Sequence, residues 1–326
     1  MLRLGIIGTG TISHEFIKAA QLSGEYQLTA VYSRTLSSAE RFAQAYQNIA
    51  LYTDMIEFLS ASLDVVYIAS PNSLHFNHAK VAILARKHVI VEKPAVSRPE
   101  EWQELVKLAA EHQVYIFEAA RNYHETAFAV IRDFLKDKKI WGANFTYAKY
   151  SSKMGALLSG QEPNVFSAKF SGGALMDLGV YTLYAAVRLF GAPQSVCYTA
   201  QQLPNSVDLN GSGSLIYPDF QVRIQAGKNI HSQLPAEIYT DQGTLTLDGI
   251  EFIRSAIFQK LNGESESLAI HQAEHQMLEE AQAFARVLKG GQEELYSDYL
   301  QAATAVHECL FAMRKDAGIR FEVDHD

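Results

Sequence analysis

Cysteine is nearly absent from this chain. Its two residues, Cys197 and Cys309, are too few for a disulfide framework, and neither stands at a metal-ligand spacing. Also lacking is any run approaching the ~18 apolar residues expected of a membrane span. Basic charge is in deficit: 28 Lys and Arg against 36 Asp and Glu give a formal charge of −8. That argues against a nucleic-acid partner, because phosphate binding needs clustered cations. The opening "MLRLGIIGTG" is interrupted by glycines and leads to no convincing cleavage site, so a cytoplasmic protein is expected. No repeat or low-complexity tract occurs. The hydrophobic fraction of 48% and charged fraction of 20% are those of a soluble globular protein, and 326 residues allow one large domain or two ordinary ones.

The first 120 residues alternate short apolar runs with amphipathic segments. Strands are expected at 2–8, 26–33, 64–70, 88–93 and 114–120, with helices at 11–23, 37–47, 75–87 and 99–113. Val- and Ile-rich strands alternating with helices predict a parallel sheet covered on both faces, a doubly wound Rossmann architecture. Beyond 121 the rhythm changes. After a helix at about 124–136, a strand at 143–151 and a strong helix at 174–190, several strands between 195 and 258 follow one another without helices. Two amphipathic helices, about 271–289 and 298–316, close the chain. The α/β fold class therefore pairs an N-terminal doubly wound domain, 1–120, with a C-terminal α+β domain, 121–326, built on a mostly antiparallel open sheet.

"GIIGTGTIS" (5–13) places Gly8 and Gly10 between the first strand and the first helix. Such glycines allow a tight turn and let main-chain N–H groups and the helix N-terminus approach a pyrophosphate. Ser13 stands where the third glycine of the usual fingerprint would be. Gly8, Gly10, Thr11 and Ile12 are the expected contacts of a bound dinucleotide. At the end of the second strand an NAD site usually carries an acid, but this chain has Ser33 and Arg34. A hydroxyl and a guanidinium suit a 2′-phosphate, so NADP is expected. NAD remains compatible if Arg34 only stacks on adenine. "SPNSLH" (70–75) sets Ser70, Pro71, Asn72 and His75 at another strand's carboxyl end, where doubly wound sheets bind ligands. "HVIVEKP" (88–94) ends a strand in Glu92, Lys93 and Pro94.

Together, "GTGTIS", "IASPNSLH", "EKP" and "GGALMDLGVYTL" (172–183) resemble the glucose–fructose oxidoreductase / inositol dehydrogenase (Gfo/Idh/MocA) family along the whole chain. The resemblance implies a nicotinamide-dependent oxidoreductase acting on a secondary alcohol or carbonyl of a sugar, polyol or diol. It places Lys93 beside the nicotinamide and the reacting oxygen, with a cis bond to Pro94, and lets Glu92 reach cofactor or substrate hydroxyls. It gives the second-domain helix an acid and, four residues on, a His or Tyr. Here these are Asp177 and Tyr181, so the chain sits with the Tyr-bearing members, such as the dimeric dihydrodiol dehydrogenases. Arg121, Asn122 and His124 fall in the expected substrate pocket, with Glu125 where relatives carry proline. A homodimer or homotetramer through the C-terminal sheet is implied as well.

Oxidising an alcohol requires a base for its proton, and reducing a carbonyl requires an acid. Asp177 and Tyr181, spaced i and i+4, would share one helix face. Tyr181 is the expected acid/base, Lys93 its electrostatic partner, and Asp177 an acceptor for a substrate hydroxyl or an orienter of the lysine. "HQAEH" (271–275) fits an inverted zinc-protease pattern. It lacks a third ligand, so no metal is expected. The remaining alternative is a non-catalytic dinucleotide or sugar sensor on the same fold, which the presence of both Lys93 and Tyr181 disfavours.

Overall fold

The strands of the first sheet are buried on both faces: Val65–Ile68 and Val89–Val91 have no exposed surface. Strands of this kind need helices on both sides. The structure, a computed structural model, describes residues 1–325. Its chain separates into two units, one of Met1–Ala119 with Glu274–Gln301, the other of Ala120–Ala273 with the residues from Ala302 on.

In the first unit β1 (Leu2–Ile7), α1 (Thr11–Ser23), β2 (Tyr26–Tyr32), α2 (Leu36–Ala43), β3 (Ala50–Tyr52) and α3 (Met55–Ser60) form one half of the sheet. β4 (Val65–Ile68), α4 (His75–Leu84), β5 (His88–Glu92), α5 (Pro99–Glu111) and β6 (Ile116–Ala119) form the other. All pairings are parallel, in the order β3-β2-β1-β4-β5-β6. This is the strand order of a dinucleotide-binding fold, whose ligand crevice opens at the carboxyl ends where the order reverses, between β1 and β4. β3 escapes the sequence because three residues are too few to show a pattern.

In the second unit α6 (Thr126–Leu135), β7 (Ile140–Ala148), α7 (Met154–Leu158) and α8 (Val180–Phe190) precede a run of strands. These are β8 (Ser195–Gln202), β9 (Asp208–Ile216), β10 (Gln221–Gly227), β11 (Ala236–Thr240), β12 (Gly243–Leu247), β13 (Ala256–Lys260) and β14 (Ser265–Ser267). They join β7 in an eight-stranded sheet ordered β14-β13-β12-β11-β7-β10-β9-β8, antiparallel except for β7 with β10. The helix expected at 174–190 is present, but its first turn, Leu175–Gly179, is π-helical. By length and composition the segment Ala168–Phe190 could cross a membrane, yet 72% of its apolar window is buried inside the protein, as in a core helix.

The last two helices are α9 (Leu278–Leu288) and α10 (Glu293–Ala317). The sequence reading assigns everything after 120 to one domain, whereas 274–301 groups with the first unit. The reason is apolar packing. Met277, Ala281, Phe284 and Val287 join the core of Leu4, Phe16, Tyr67 and Phe117. Phe284 stacks on Phe117 at 4.7 Å, and Tyr26 donates to the Ala281 carbonyl at 2.8 Å. The helix expected from 271 starts only at Leu278, so the "HQAEH" histidines share no helix face, and His275 instead lies 3.0 Å from Glu15.

Candidate active site

At the carboxyl end of β1, Gly8 takes φ +109°, and a Cβ there would meet the Ala69 carbonyl oxygen at 2.5 Å. Only glycine fits that approach. Gly10 differs. Its φ of −84° suits any residue and no atom lies within 4 Å of where a Cβ would be, so the chain itself does not require glycine there. The space above it lies at the N-terminus of α1, whose first turn has no side-chain cap and no acid. An open cradle with uncapped N–H groups fits a pyrophosphate. Exposed Thr11 and Ile12 begin that turn. Ser13, in place of the third glycine, is fully buried and donates from Oγ to the Gly8 carbonyl at 2.9 Å, closing the loop on itself.

Ser33 and Arg34 follow β2, and Arg34 is exposed. Its charge is felt at His78 of α4, whose pKa is pushed down to about 4 by burial first, then by His75 and Arg34. His78 Nδ1 lies 2.9 Å from Ser70 Oγ. Pro71 and Asn72 are half-buried on the turn after β4.

The turn after β5 is held from several sides, and the Lys93–Pro94 bond is cis, as expected. Glu92, 6% exposed, accepts from the Tyr67 hydroxyl and, at 3.2 Å, from the Lys93 N–H. Glu118 accepts from the Ala95 N–H at 3.0 Å, and Glu101 from the Ser97 and Arg98 N–H groups at 2.9 and 3.2 Å. His75 bridges the Pro94 and Ser70 carbonyls, at 2.9 and 2.7 Å from its two ring nitrogens. Both Glu92 and His75 are buried and engaged with the protein, and they fix the backbone that carries Lys93. Burial also holds the His75 pKa below its ordinary value.

In the second unit Tyr181 opens α8, largely buried, with its ring edge-to-face on Tyr147 at 5.4 Å. Arg121, on a 3-10 turn (Arg121–His124), sets its guanidinium 5.1 Å from the Tyr181 ring centre. Burial works against the Arg121 charge, but the Tyr181 hydroxyl, through a hydrogen bond, and Tyr147 and Glu125 outweigh it and raise the pKa. Arg121 also donates to the Glu251 carbonyl at 2.5 Å, which fixes its head. Arg121 is thus a cation at the tyrosine.

Asn122 lies deeper. It has no exposed surface, and its amide donates to the Tyr181 and Ile250 carbonyls at 3.0 Å each, so it anchors the helix start. His124 is half-buried with its ring against Tyr123, and Glu125 accepts from the Ile253 N–H at 2.9 Å. Asp177 sits in the π-helical turn and is ion-paired with Lys228, a residue the sequence reading missed. No motif marks Lys228. A single lysine after a strand reads as surface until the fold brings it to an acid.

Residues 2–120 match the profile of the Gfo/Idh/MocA oxidoreductase family, NAD-binding Rossmann fold, and residues 139–246 match its C-terminal domain. An uncharacterized oxidoreductase of Escherichia coli (strain K12), YgjR, is 36% identical over 99% of both chains. The Bacillus subtilis (strain 168) protein IolU, named a scyllo-inositol 2-dehydrogenase (NADP(+)), is 33% identical over 99% of both. Among solved structures, KijD10, a 3-ketoreductase from Actinomadura kijaniata in complex with NADP and TDP-benzene, superposes with a TM-score of 0.84. It is 22% identical, with 97% of this chain and 98% of that one covered, a likeness of fold. With both domains matched and two relatives aligned end to end, this chain belongs to the Gfo/Idh/MocA family of NAD(P)-binding oxidoreductases.

Proposed function

We propose that the protein interconverts a secondary alcohol and its ketone on a cyclic polyol, sugar or diol, with NADP as hydride partner and Tyr181 as acid/base. The observation that carries the reading is the Tyr181 hydroxyl held by the Arg121 guanidinium, one helical turn after Asp177. A buried phenol is usually a core residue with a satisfied hydroxyl. Here the partner is a permanent cation, which suits an oxygen that handles a proton.

When bound, the nicotinamide supplies the acceptor for the hydride that leaves the alcohol carbon. The chain's residues do the rest. Tyr181 takes the hydroxyl proton as the carbonyl forms, and returns it in reduction. Asp177 accepts a hydrogen bond from a neighbouring substrate hydroxyl. Lys93 serves as a cation for the reacting oxygen. The Gly8–Ile12 backbone holds the pyrophosphate, Ser33 and Arg34 the ribose 2′-phosphate, and Ser70, Pro71 and Asn72 border the cofactor. The preference for NADP is supported by Arg34 standing where an acid would select NAD, and by the name of the IolU relative. A second copy of the chain is proposed on the open face of the eight-stranded sheet, beside which Leu234 is 65% exposed.

The test is NADP(H) turnover with scyllo-inositol, other inositols, aldoses and trans-diols. Tyr181→Phe should lower kcat by about 10²–10⁴-fold, the range of general acid–base catalysis, with NADP affinity unchanged. Unaltered turnover in that variant sinks the assignment.

A further inference from the structure

Lys228 plays no part in the reaction as just described, yet it is among the most buried charged residues of the chain. It follows β10 and is 5% exposed. Its backbone is pinned on both sides: its N–H donates to the Leu209 carbonyl at 2.7 Å, and its carbonyl accepts from the Ser151 N–H at 2.8 Å. A lysine so buried needs an anion, because the uncompensated charge would cost several kcal/mol. Nζ donates to Asp177 Oδ2. The two side chains are exposed very unequally, 6% for Lys228 and 34% for Asp177. The ammonium therefore reaches the carboxylate from the buried side, and the accessible side of the pair is carboxylate. On the elements packed around this turn, the titratable and charged residues include Tyr181, Tyr184 and Arg188 on α8, Tyr147 on β7, Asp208 on β9 and Arg223 on β10, with Arg121 at Tyr181.

We propose that Lys228 is a positioning residue that keeps the Asp177 carboxylate charged and aimed, so that it accepts the hydroxyl on the carbon next to the reacting one and selects vicinal diols and polyols over simple alcohols. This rests on the function proposed above. A carboxylate only accepts hydrogen bonds, so in its ionised form it recognises a donor. Without the ammonium the half-buried carboxyl would take up a proton more readily, since an opposite charge favours the ionised form and desolvation opposes it. A protonated Asp177 would no longer discriminate a hydroxyl from its absence.

The experiment compares scyllo-inositol, trans-cyclohexane-1,2-diol and cyclohexanol with NADP+ across pH, for wild type, Lys228→Met, Lys228→Arg, Asp177→Asn and the Met/Asn double variant. In Lys228→Met, KM for the diols should rise about tenfold or more with a smaller change in kcat, as for loss of a charged hydrogen bond. The acid limb of kcat/KM should move up by about one pH unit or more. The preference for diols over cyclohexanol should shrink. Lys228→Arg should restore the acid limb, and the double variant should be no worse than Asp177→Asn alone. If the methionine variant does not fold, Lys228→Gln carries the same comparison, checked by thermal melting.

An unchanged KM, pH profile and diol preference in a folded, uncharged variant overturns the proposal, as does full additivity in the double variant. A wild type that neither turns over nor, by calorimetry with NADP+ present, binds any of the three overturns the function reading and this inference with it. A wild type that works beside an unperturbed Lys228→Met overturns this inference alone.

Discussion

In the first unit Glu92, Glu101, Glu118 and His75 all bind main-chain atoms between Ser70 and Arg98. In the second, Arg121 binds Tyr181 and Lys228 binds Asp177, side chain to side chain. The first arrangement makes a rigid backbone. Its buried acids accept hydrogen bonds from main-chain N–H groups. The second sets cations directly against side chains, Arg121 at Tyr181 and Lys228 at Asp177. A cofactor common to many reactions can be met by geometry alone, whereas a proton transfer needs charges tuned against each other.

The comparison is broken most sharply by Asp208. It lies in the second unit but behaves like the acids of the first, accepting from the Leu175 N–H at 2.8 Å and the Tyr198 hydroxyl at 3.2 Å, with no exposed surface. It holds the start of the π-helical turn that carries Asp177. Burial pushes its pKa up to about 6 from the ordinary 3.8, against the pull of its hydrogen bonds. An acid raised in the folded state favours folding while protonated. Its contribution is whole below about pH 4 and is lost as the pH rises through about 6. A rise of that size corresponds to something on the order of 3 kcal/mol. Denaturant unfolding of wild type and Asp208→Asn from pH 4 to 8 isolates it, because other titrations cancel in the difference. Wild type should lose stability relative to the variant across pH 4–6. A pH-independent difference would show that Asp208 does not titrate there.

Much of the first unit is legible in the sequence because its signals are local. Gly8 and Gly10 lie in one loop, and the "EKP" turn directly follows a strand. The second unit is legible as a run of strands, but not in what meets what. Lys228 and Asp177 are 51 residues apart, joined only because β10 passes the π-helical turn. That turn is itself hidden in a stretch, 174–187, where nearly every residue is buried and no period stands out. Asn122 is a further case: nothing in the sequence around it tells that its amide clamps two carbonyls, from Tyr181 and Ile250. Similarly, α9 looks like part of the second domain until Phe284 finds Phe117.

Arg121 is the next way to sharpen the contrast. Arg121→Met keeps the packing on the Tyr181 ring and removes the charge. Loss of a hydrogen bond to a charged group, about 1.5–3 kcal/mol, should lower kcat about ten- to a hundredfold. Arg121→Lys should recover part of this, since it restores the charge without the planar fork. The dissociation constant of NADP, titrated directly, should not move in either variant. A shift in cofactor affinity with unchanged kcat would reassign Arg121 from proton transfer to binding.

The smallest effect is expected where the first unit's rule holds best. Glu118→Gln retains an acceptor oxygen for the Ala95 N–H, so the turn should survive, with a loss of about 1 kcal/mol or less in unfolding free energy. Glu118→Leu leaves that buried N–H unpaired and should cost about 1–3 kcal/mol. The pair of variants asks whether the acid is there for its charge or for its geometry. If geometry governs, the glutamine protein will match wild type in NADP affinity and kcat, and the leucine protein will lose both together as the backbone carrying Lys93 loosens. If glutamine alone abolishes turnover while stability holds, the charge of Glu118 matters to the reaction, and the first unit is tuned electrostatically in the same way as the second.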